Sequence, residues 1–503
     1  MLGRAGQEAD RTELDDAGWE QARDWSIPEL DPRPLIAGAV LVVVDWCAVF
    51  GCLAAAWWLR DGPLREIFPS LSPLAPLYQF CILFYGLLPW VLAFAGARLY
   101  TRRAQFWDEA RSVFLACTLA ALFVIVVAFA EKRPVTVSRL MVGGVWLTTV
   151  IVVPAVRLRA KRLLAAFGLW RRRTLILGAG KTGAEVVQRI RQNPDIGYVP
   201  VAFVDDDPAK IGTEHAQLPV CGPLDAVSTV LAELEVEEVV LAMRELPRER
   251  LLHLISACEG RVRSIHLVPD LFGLASVGVE TEDLDGVLLL HMRWNLARRW
   301  NRLLKRLFDL TVAASVTVLL SPILIATALA ICLDSRGPVF FVQERLGRNR
   351  RRFRCLKFRT MYADNEARLR VHLAGDPVAR ADWSRFAKLK SLDPRVTRVG
   401  RILRRSSLDE LPQLINVLRN EMSLVGPRPY LPSETVRMRD LAETILKAAP
   451  GVTGLWQVSG RNNLTFAQRV RLDEYYVRNW SLWMDVVVLL KTVGAVLRRD
   501  GAY

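Results

Sequence analysis

LFDLTVAASVTVLLSPILIATALAICL, residues 307–333, is an apolar run interrupted once, by Ser321-Pro322. A bilayer core takes about 20 helical residues, so the run is long enough to cross. A proline inside a helix removes one backbone hydrogen bond and crowds the preceding turn, which predicts a kink at Pro322. The run is therefore either a fifth straight span or a re-entrant helix that enters and leaves by one face. The choice decides the fold, because a straight span moves everything downstream to the opposite side. Residues 345–359 carry eight Lys/Arg and no acid. Such a block belongs against anionic headgroups on the cytoplasmic side, at about 1 kcal/mol per charge near the surface. Re-entry, with its break at Ser321 and Pro322, is the reading that keeps it there.

Upstream, four more apolar runs cover residues 35–59, 77–97, 113–130 and 140–156. The second contains Gly86 and Pro89; the fourth has 17 residues and Pro154. Arg98, Arg102, Arg103 and Arg111 follow the second run, and Arg157, Arg159, Lys161, Arg162 and Arg171 to Arg173 follow the fourth, against Arg60 and Arg65 in the first loop. Lys/Arg bias marks the cytoplasmic side, so four spans with both ends in the cytoplasm are expected. The polar, acidic residues 1–33 form a cytoplasmic tail and lack the basic start of a secretory signal. Asp45 inside the first span reads as an interhelical contact rather than an ion pathway.

After Arg173 the pattern changes. Thr174-Leu-Ile-Leu177 reads as a buried strand, followed by Gly178-Ala-Gly-Lys-Thr-Gly183, a helical run, and a second strand at 199–204 that ends at Asp205. Strand, GxGxxG, helix, strand and acid is the order of a dinucleotide-binding unit, with Gly178, Gly180 and Gly183 shaping the phosphate turn and Asp205 placed for a ribose hydroxyl. A purely steric use of these glycines accounts for the same pattern. Further alternation predicts a Rossmann-like α/β domain over 161–297. It either binds a nucleotide or serves as scaffold and regulator.

The chain as a whole has 503 residues, 52% hydrophobic and 24% charged, with a formal net charge of +15. Its length suggests about three folded units. The composition excludes a disordered or collagenous chain. The basic excess asks for an anionic partner. Eight Cys without a CxxC pair or zinc-ligand spacing read as free thiols.

From residue 302 the sequence carries a series of motifs in consistent order. They are Lys305-Arg-Leu-Phe-Asp309, Ser321-Pro322, Gly337-Pro-Val-Phe-Phe-Val-Gln343, Lys357-Phe-Arg-Thr-Met361, Asp393-Pro-Arg-Val-Thr397 and Ser407-Leu-Asp-Glu-Leu-Pro-Gln413. Met422-Ser-Leu-Val-Gly-Pro-Arg-Pro429, Pro450-Gly-Val-Thr-Gly-Leu-Trp-Gln457, Ser459-Gly-Arg461 and Leu472-Asp473 with Tyr476 complete it. Residues 302–503 thereby resemble the bacterial polyprenyl-phosphate sugar-1-phosphate transferases. The whole architecture is similar to the large members of that family, the undecaprenyl-phosphate galactose or glucose phosphotransferases.

The resemblance implies a multi-pass protein of the bacterial cytoplasmic (inner) membrane. Its parts would be a four-helix transmembrane bundle over 34–160, the Rossmann-like cytoplasmic domain, and an α-rich catalytic domain over 298–503 with the re-entrant helix 307–333. It implies a UDP-sugar donor, galactose or glucose, an undecaprenyl phosphate acceptor, contact with membrane lipids, and a homodimer. Nucleic acid is not needed as the anionic partner.

Asp409 and Glu410 match the family's catalytic pair. Asp409 is expected as the nucleophile on the sugar-bearing phosphate, giving an acyl-phosphate intermediate. Glu410, with Asp409 beside it, is expected to hold Mg²⁺ on the diphosphate. Ser407 to Glu410 also fits a capping box, although Pro412 then falls inside the helix; shifting the cap to Asp409 removes that conflict. Arg404 and Arg428 are expected on substrate phosphates, Arg428 held between two prolines, and Lys357, Arg359 and Arg461 join them by motif match. Two other functions fit parts of the chain. An NAD-dependent nucleotide-sugar epimerase or dehydratase would need a Tyr-x-x-x-Lys pair, but Tyr198 is followed by Ala202. A nucleotide-sensing membrane scaffold needs only the middle domain.

Overall fold

The computed structural model describes residues 32–74, 76–78, 87–130, 138–243, 246–268, 295–376, 380, 393–460 and 464–498, and the backbone of 279–284 and 287–292. The chain divides into two compact units, 1–270 and 271–503, so the division precedes the boundary at 297/298 that the sequence suggests.

The first unit begins with helices α1 (Arg33–Asp61), α2 (Leu88–Gly96), α3 (Phe106–Ala130) and α4 (Arg139–Ala166). By length and composition α1, α3 and α4 can each cross a membrane. Of the expected second span, residues 79–86 lie outside the described residues and the rest ends in α2. The helices bury Val49, Leu53, Phe94, Val113, Cys117, Val145 and Val153 among themselves. Leu119, Val126 and Ile151 remain exposed on the outside. Helices apolar on both faces suit a lipid surround. Asp45 is fully buried and salt-bridged to Arg157 of α4 at 2.5 Å, which makes it an interhelical contact.

A parallel sheet follows in the same unit. Its strands are β1 (Arg172–Leu177), β2 (Tyr198–Val204), β3 (Glu238–Leu241) and β4 (Ser264–Leu267), in the order β2-β1-β3-β4. Helices α5 (Lys181–Gln192), α6 (Val227–Glu233) and α7 (Arg248–Cys258) connect them. β3 is buried along its whole length, as expected of an inner strand covered on both faces. The membrane helices join this sheet through Arg103. Its guanidinium donates to the carbonyls of Trp170 and Ile196, at 2.8 and 2.9 Å, and lies over the Trp170 ring.

The second unit opens with a hairpin, β5 (Val279–Leu284) and β6 (Val287–Met292), and then the 36-residue helix α8 (Arg299–Asp334). The interruption expected at Ser321-Pro322 is the loss of one bond within a continuous helix. Pro322 has no N–H for the Val318 carbonyl, and the Ser321 hydroxyl donates to that carbonyl instead, at 2.7 Å. Downstream lie the antiparallel strands β7 (Phe340–Leu346) and β8 (Arg352–Phe358) and the helices α9 (Arg398–Ser406) and α10 (Gln413–Leu418). The chain continues with the parallel pair β9 (Ser423–Val425) and β10 (Gly451–Thr453), then α11 (Phe466–Asn479) and α12 (Leu482–Arg498).

The core of this unit packs Ala313 of α8 with Phe353, Leu414, Val417, Leu424 and Tyr476. The far end of α8 packs on the same unit, through Ile331 against Phe358 and Leu403. Lys305 of α8 is fixed by Asp485 at 2.8 Å, and Asp309 accepts from Ser423 and the Leu424 amide. Buried ions with every partner in place hold a single arrangement, and here they set α8 against β9 and α12.

Candidate active site

The chemistry-bearing turn lies between α9 and α10. Thr397 caps α9, its hydroxyl accepting from Gly400 N at 2.8 Å, and Asp334 accepts from Val399 N at 3.1 Å. α9 ends at Ser407, whose φ of 56° is left-handed, and the chain then makes one 3₁₀ turn, Leu408–Glu410. The Ser407 side chain caps nothing, and the residue that precedes α10 is Pro412, again without a side-chain cap. Neither capping reading is realised. Both carboxylates are carried on a tight turn and are not used by a helix end.

The turn lines a cleft of about 810 Å³. Asp409, Glu410, Ser407 and Arg404 meet Lys357, Phe358 and Thr360 of the β8 end there, with Phe340, Phe341 and Gln343 of β7 and Trp456 and Gln457 beyond β10. Lys357 donates to Glu410 Oε1 at 2.6 Å. Arg404 donates through Nε to Thr360 Oγ1 at 2.9 Å. Among the described residues no side chain closes a hydrogen bond or ion pair on the Asp409 carboxylate. Burial, and then the charge of Glu410, push its pKa up to about 6 against the opposing pull of Lys357 and Arg404. Burial lowers Arg404 from its usual value while Asp409 and Asp393 draw it back up; a guanidinium remains charged under such a shift. The result is a carboxylate raised above its usual range in a cleft it shares with two cations.

The other expected residues divide. Arg428 is near the cleft rather than on its wall. Its amide donates to Asp473 Oδ2 at 3.1 Å, and its guanidinium lies 3.8 Å from Glu434 and over the ring of the cleft residue Trp456. Arg359 reaches the cleft, but its guanidinium donates to the carbonyls of Ser335 and Arg336, at 2.7 and 3.0 Å. It thereby holds the chain just past the C-terminal end of α8 while lining the cleft. Arg461 lies outside the described residues.

Motif reading named no role for Thr360, which aims Arg404, or for Asp473. Asp473 is fully buried, accepts from Tyr430 Oη at 2.7 Å, and has its pKa raised to about 7, chiefly by burial. The spacing of acids and bases along the chain carries no signal for either, since both act across more than 40 residues.

In the α/β domain, Gly178, Gly180, Lys181, Thr182, Asp205, Ala242 and Met243 line a second hollow of about 340 Å³. Gly178 has a φ of +105°, and a Cβ on Gly183 would fall 2.1 Å from the Gly178 carbonyl, so both glycines are required by packing. Gly180 faces open space. Asp205, expected for a ribose, accepts from the amides of Ala179 and Asp207 and pairs with Lys210 at 3.2 Å. Burial opposes its ionisation, but these donors outweigh it and hold the carboxyl below its usual value.

No cluster of three or more metal-ligating side chains occurs among the described residues. Asp409 and Glu410 nevertheless suit a hard cation that takes one or two carboxylates and completes its shell with substrate phosphate and water.

Comparison with known proteins identifies the family. Residues 300–499 match the family described as bacterial sugar transferase, and residues 93–269 match a CoA-binding domain. The chain is 38% identical over 408 residues to the UDP-galactose-lipid carrier transferase of Erwinia amylovora, covering 81% of this chain and 84% of that protein. It is 38% identical over 420 residues to the undecaprenyl-phosphate galactose phosphotransferase of Salmonella typhimurium, with the same coverage. To the Escherichia coli UDP-glucose:undecaprenyl-phosphate glucose-1-phosphate transferase it is 32% identical over 345 residues, covering 67% and 70%. With a cleft organised around Asp409 and relatives matched along most of their length, the chain belongs to the polyprenyl-phosphate hexose-1-phosphate transferases, in their large, membrane-embedded form.

Proposed function

We propose that the enzyme transfers a hexose-1-phosphate, galactose or glucose, from a UDP-sugar to undecaprenyl phosphate through a covalent intermediate on Asp409. The single observation that carries this is the Asp409 carboxylate, half-buried in the cleft it lines with Lys357 and Arg404 and without a side-chain partner among the described residues. An Asp409 oxygen attacks the phosphorus that bears the sugar. The bond to the bridging oxygen breaks, and UMP leaves with those electrons. A lipid phosphate oxygen then attacks the same phosphorus, displaces the Asp409 carboxylate and forms the lipid diphosphosugar. One phosphoanhydride is consumed and one is made, so no outside energy source is needed.

Arg404 and Lys357 neutralise the phosphate oxygens as charge moves, which is where phosphoryl transfer gains most. Asp409 and Glu410 would hold Mg²⁺, which when bound neutralises the donor's diphosphate. Lys357 keeps Glu410 oriented in its absence.

The setting we propose is the cytoplasmic face of the bacterial inner membrane, with a homodimer as the assembly. The packing of both ends of α8 against one compact unit supports re-entry: a helix crossing a roughly 30 Å core would leave its far end on the opposite side from the residues that pack its start. The order β2-β1-β3-β4 and the Gly178–Gly183 turn support a Rossmann-like middle domain whose ligand would regulate transfer.

Incubation of purified protein with a panel of UDP-sugars and undecaprenyl phosphate, with UMP as readout, tests the reading. One hexose donor should release UMP, and Asp409→Asn should lower that release at least about 10³-fold. Full release by the variant would overturn the nucleophile.

A further inference from the structure

We propose that the apolar lip of the cleft, Phe340 and Phe341 on β7, receives the isoprenoid segment next to the acceptor's phosphate, with Phe341 its principal contact. The inference rests on the transfer reaction proposed above and adds where the lipid lies.

Three consecutive large apolar residues stand exposed on this strand, Phe341 the most, at 50%. A two-stranded hairpin ordinarily blunts such an edge with polar or charged residues. Phe340 is held by stacking on Phe358, at 5.6 Å between centroids; among the described residues Phe341 makes no ring contact.

Register then ties the lip to the chemistry. Phe341 is directly opposite Lys357 in the antiparallel ladder. Side chains opposite one another share a face, with Cβ atoms about 5 Å apart. An exposed phenyl ring therefore borders the ammonium that touches Glu410, inside the same cleft as Asp409. A UDP-sugar could also lay its uracil ring or a sugar C–H face on that phenyl, so the donor half-reaction in the test below separates the two substrates. A phosphate joined to a prenyl chain needs this pairing: a cation for its head and an apolar wall within the first few carbons.

Continuity supplies the route outward. The lip begins six residues after α8 ends, and Leu329 and Leu333 near that end are exposed, Leu333 at 89%. A tail leaving the cleft over Phe341 would find further exposed apolar side chains on the nearby end of α8.

The test uses the full-length enzyme in detergent with Phe341→Ser and Phe341→Leu. Single-turnover UMP release without acceptor reports the donor half-reaction, and the KM for farnesyl phosphate reports the lip apart from any membrane. Phe341→Ser should raise the farnesyl phosphate KM about tenfold, equivalent to about 1.4 kcal/mol. The donor KM should shift less than about twofold, and leucine should restore the acceptor KM. An unchanged farnesyl phosphate KM overturns the proposal, and if vesicle binding is lost at the same time the lip is a bilayer anchor instead. A parallel fall in both half-reactions also overturns it, as a folding effect. If the wild-type enzyme releases no UMP without acceptor, the covalent reading fails, while the farnesyl phosphate KM still judges the lip.

Discussion

Two sets of acids and bases, in different units of the molecule, are built from the same residue types and arranged in opposite ways. In the membrane bundle, Arg157 is fully buried, with Asp45 at 2.5 Å, Glu109 at 2.6 Å and the Leu99 carbonyl at 2.5 Å; Lys161 joins Glu109 at 2.7 Å. Two carboxylates meet two cations, and the charges cancel. In the cleft, Lys357 pairs with Glu410 and Arg404 with a hydroxyl, leaving Asp409 without a side-chain partner among the described residues. The first arrangement fixes three helices against one another; the second keeps one carboxylate available. Proximity of charge therefore says little about function here. Whether each charge is matched decides it.

Breaking the bundle set should have the largest effect. Arg157→Met leaves two buried carboxylates with one cation and should cost about 3–5 kcal/mol of stability, read by thermal unfolding in detergent. Neutralising Asp45 and Glu109 as well should recover much of that loss. Lys357→Met should show the reverse profile. Its ion pair is about one-third exposed, so stability should change by at most about 1 kcal/mol. The rate should fall by about 10²–10³, because a cation is lost beside the phosphate.

The same comparison marks what the sequence could carry. Apolar runs revealed the membrane helices through length alone, and the Gly178–Gly183 turn was legible because two of its glycines meet a strict steric demand. Asp409 and Glu410 stood out by motif. Partners were not legible: Glu109 and Asp45 reach Arg157 from 48 and 112 residues away, and nothing local at Glu109 announces a buried ion. Arg359 makes a related point. A motif arginine beside a phosphate site looks like a ligand, and the carbonyls just past the end of α8 also claim its guanidinium. The kink signal at Ser321-Pro322 was sound about the missing bond, but it did not reveal that the preceding serine would satisfy the carbonyl.

Smaller effects follow from the raised Asp409. As nucleophile it must be ionised, so kcat/KM should climb about tenfold per pH unit below pH 6 and level off above it. A donor whose own ionisation is constant over that range isolates the enzyme's contribution. Stability carries the opposite sign. A carboxyl whose folded pKa exceeds its unfolded value favours the fold only while protonated, and that contribution is lost as pH rises through about 6. Asp409→Asn should therefore stabilise the protein by on the order of 1 kcal/mol at pH 7–8, and the gain should vanish below the ordinary value of 3.8.

The most direct test of an unpaired, nucleophilic Asp409 is the intact mass of the enzyme after brief exposure to its UDP-sugar without acceptor. The arrangement predicts one added hexose phosphate per chain, mapped by peptide fragmentation to Asp409 and discharged by undecaprenyl phosphate. An unmodified chain that still turns over at the normal rate, or an adduct on another residue, would contradict it.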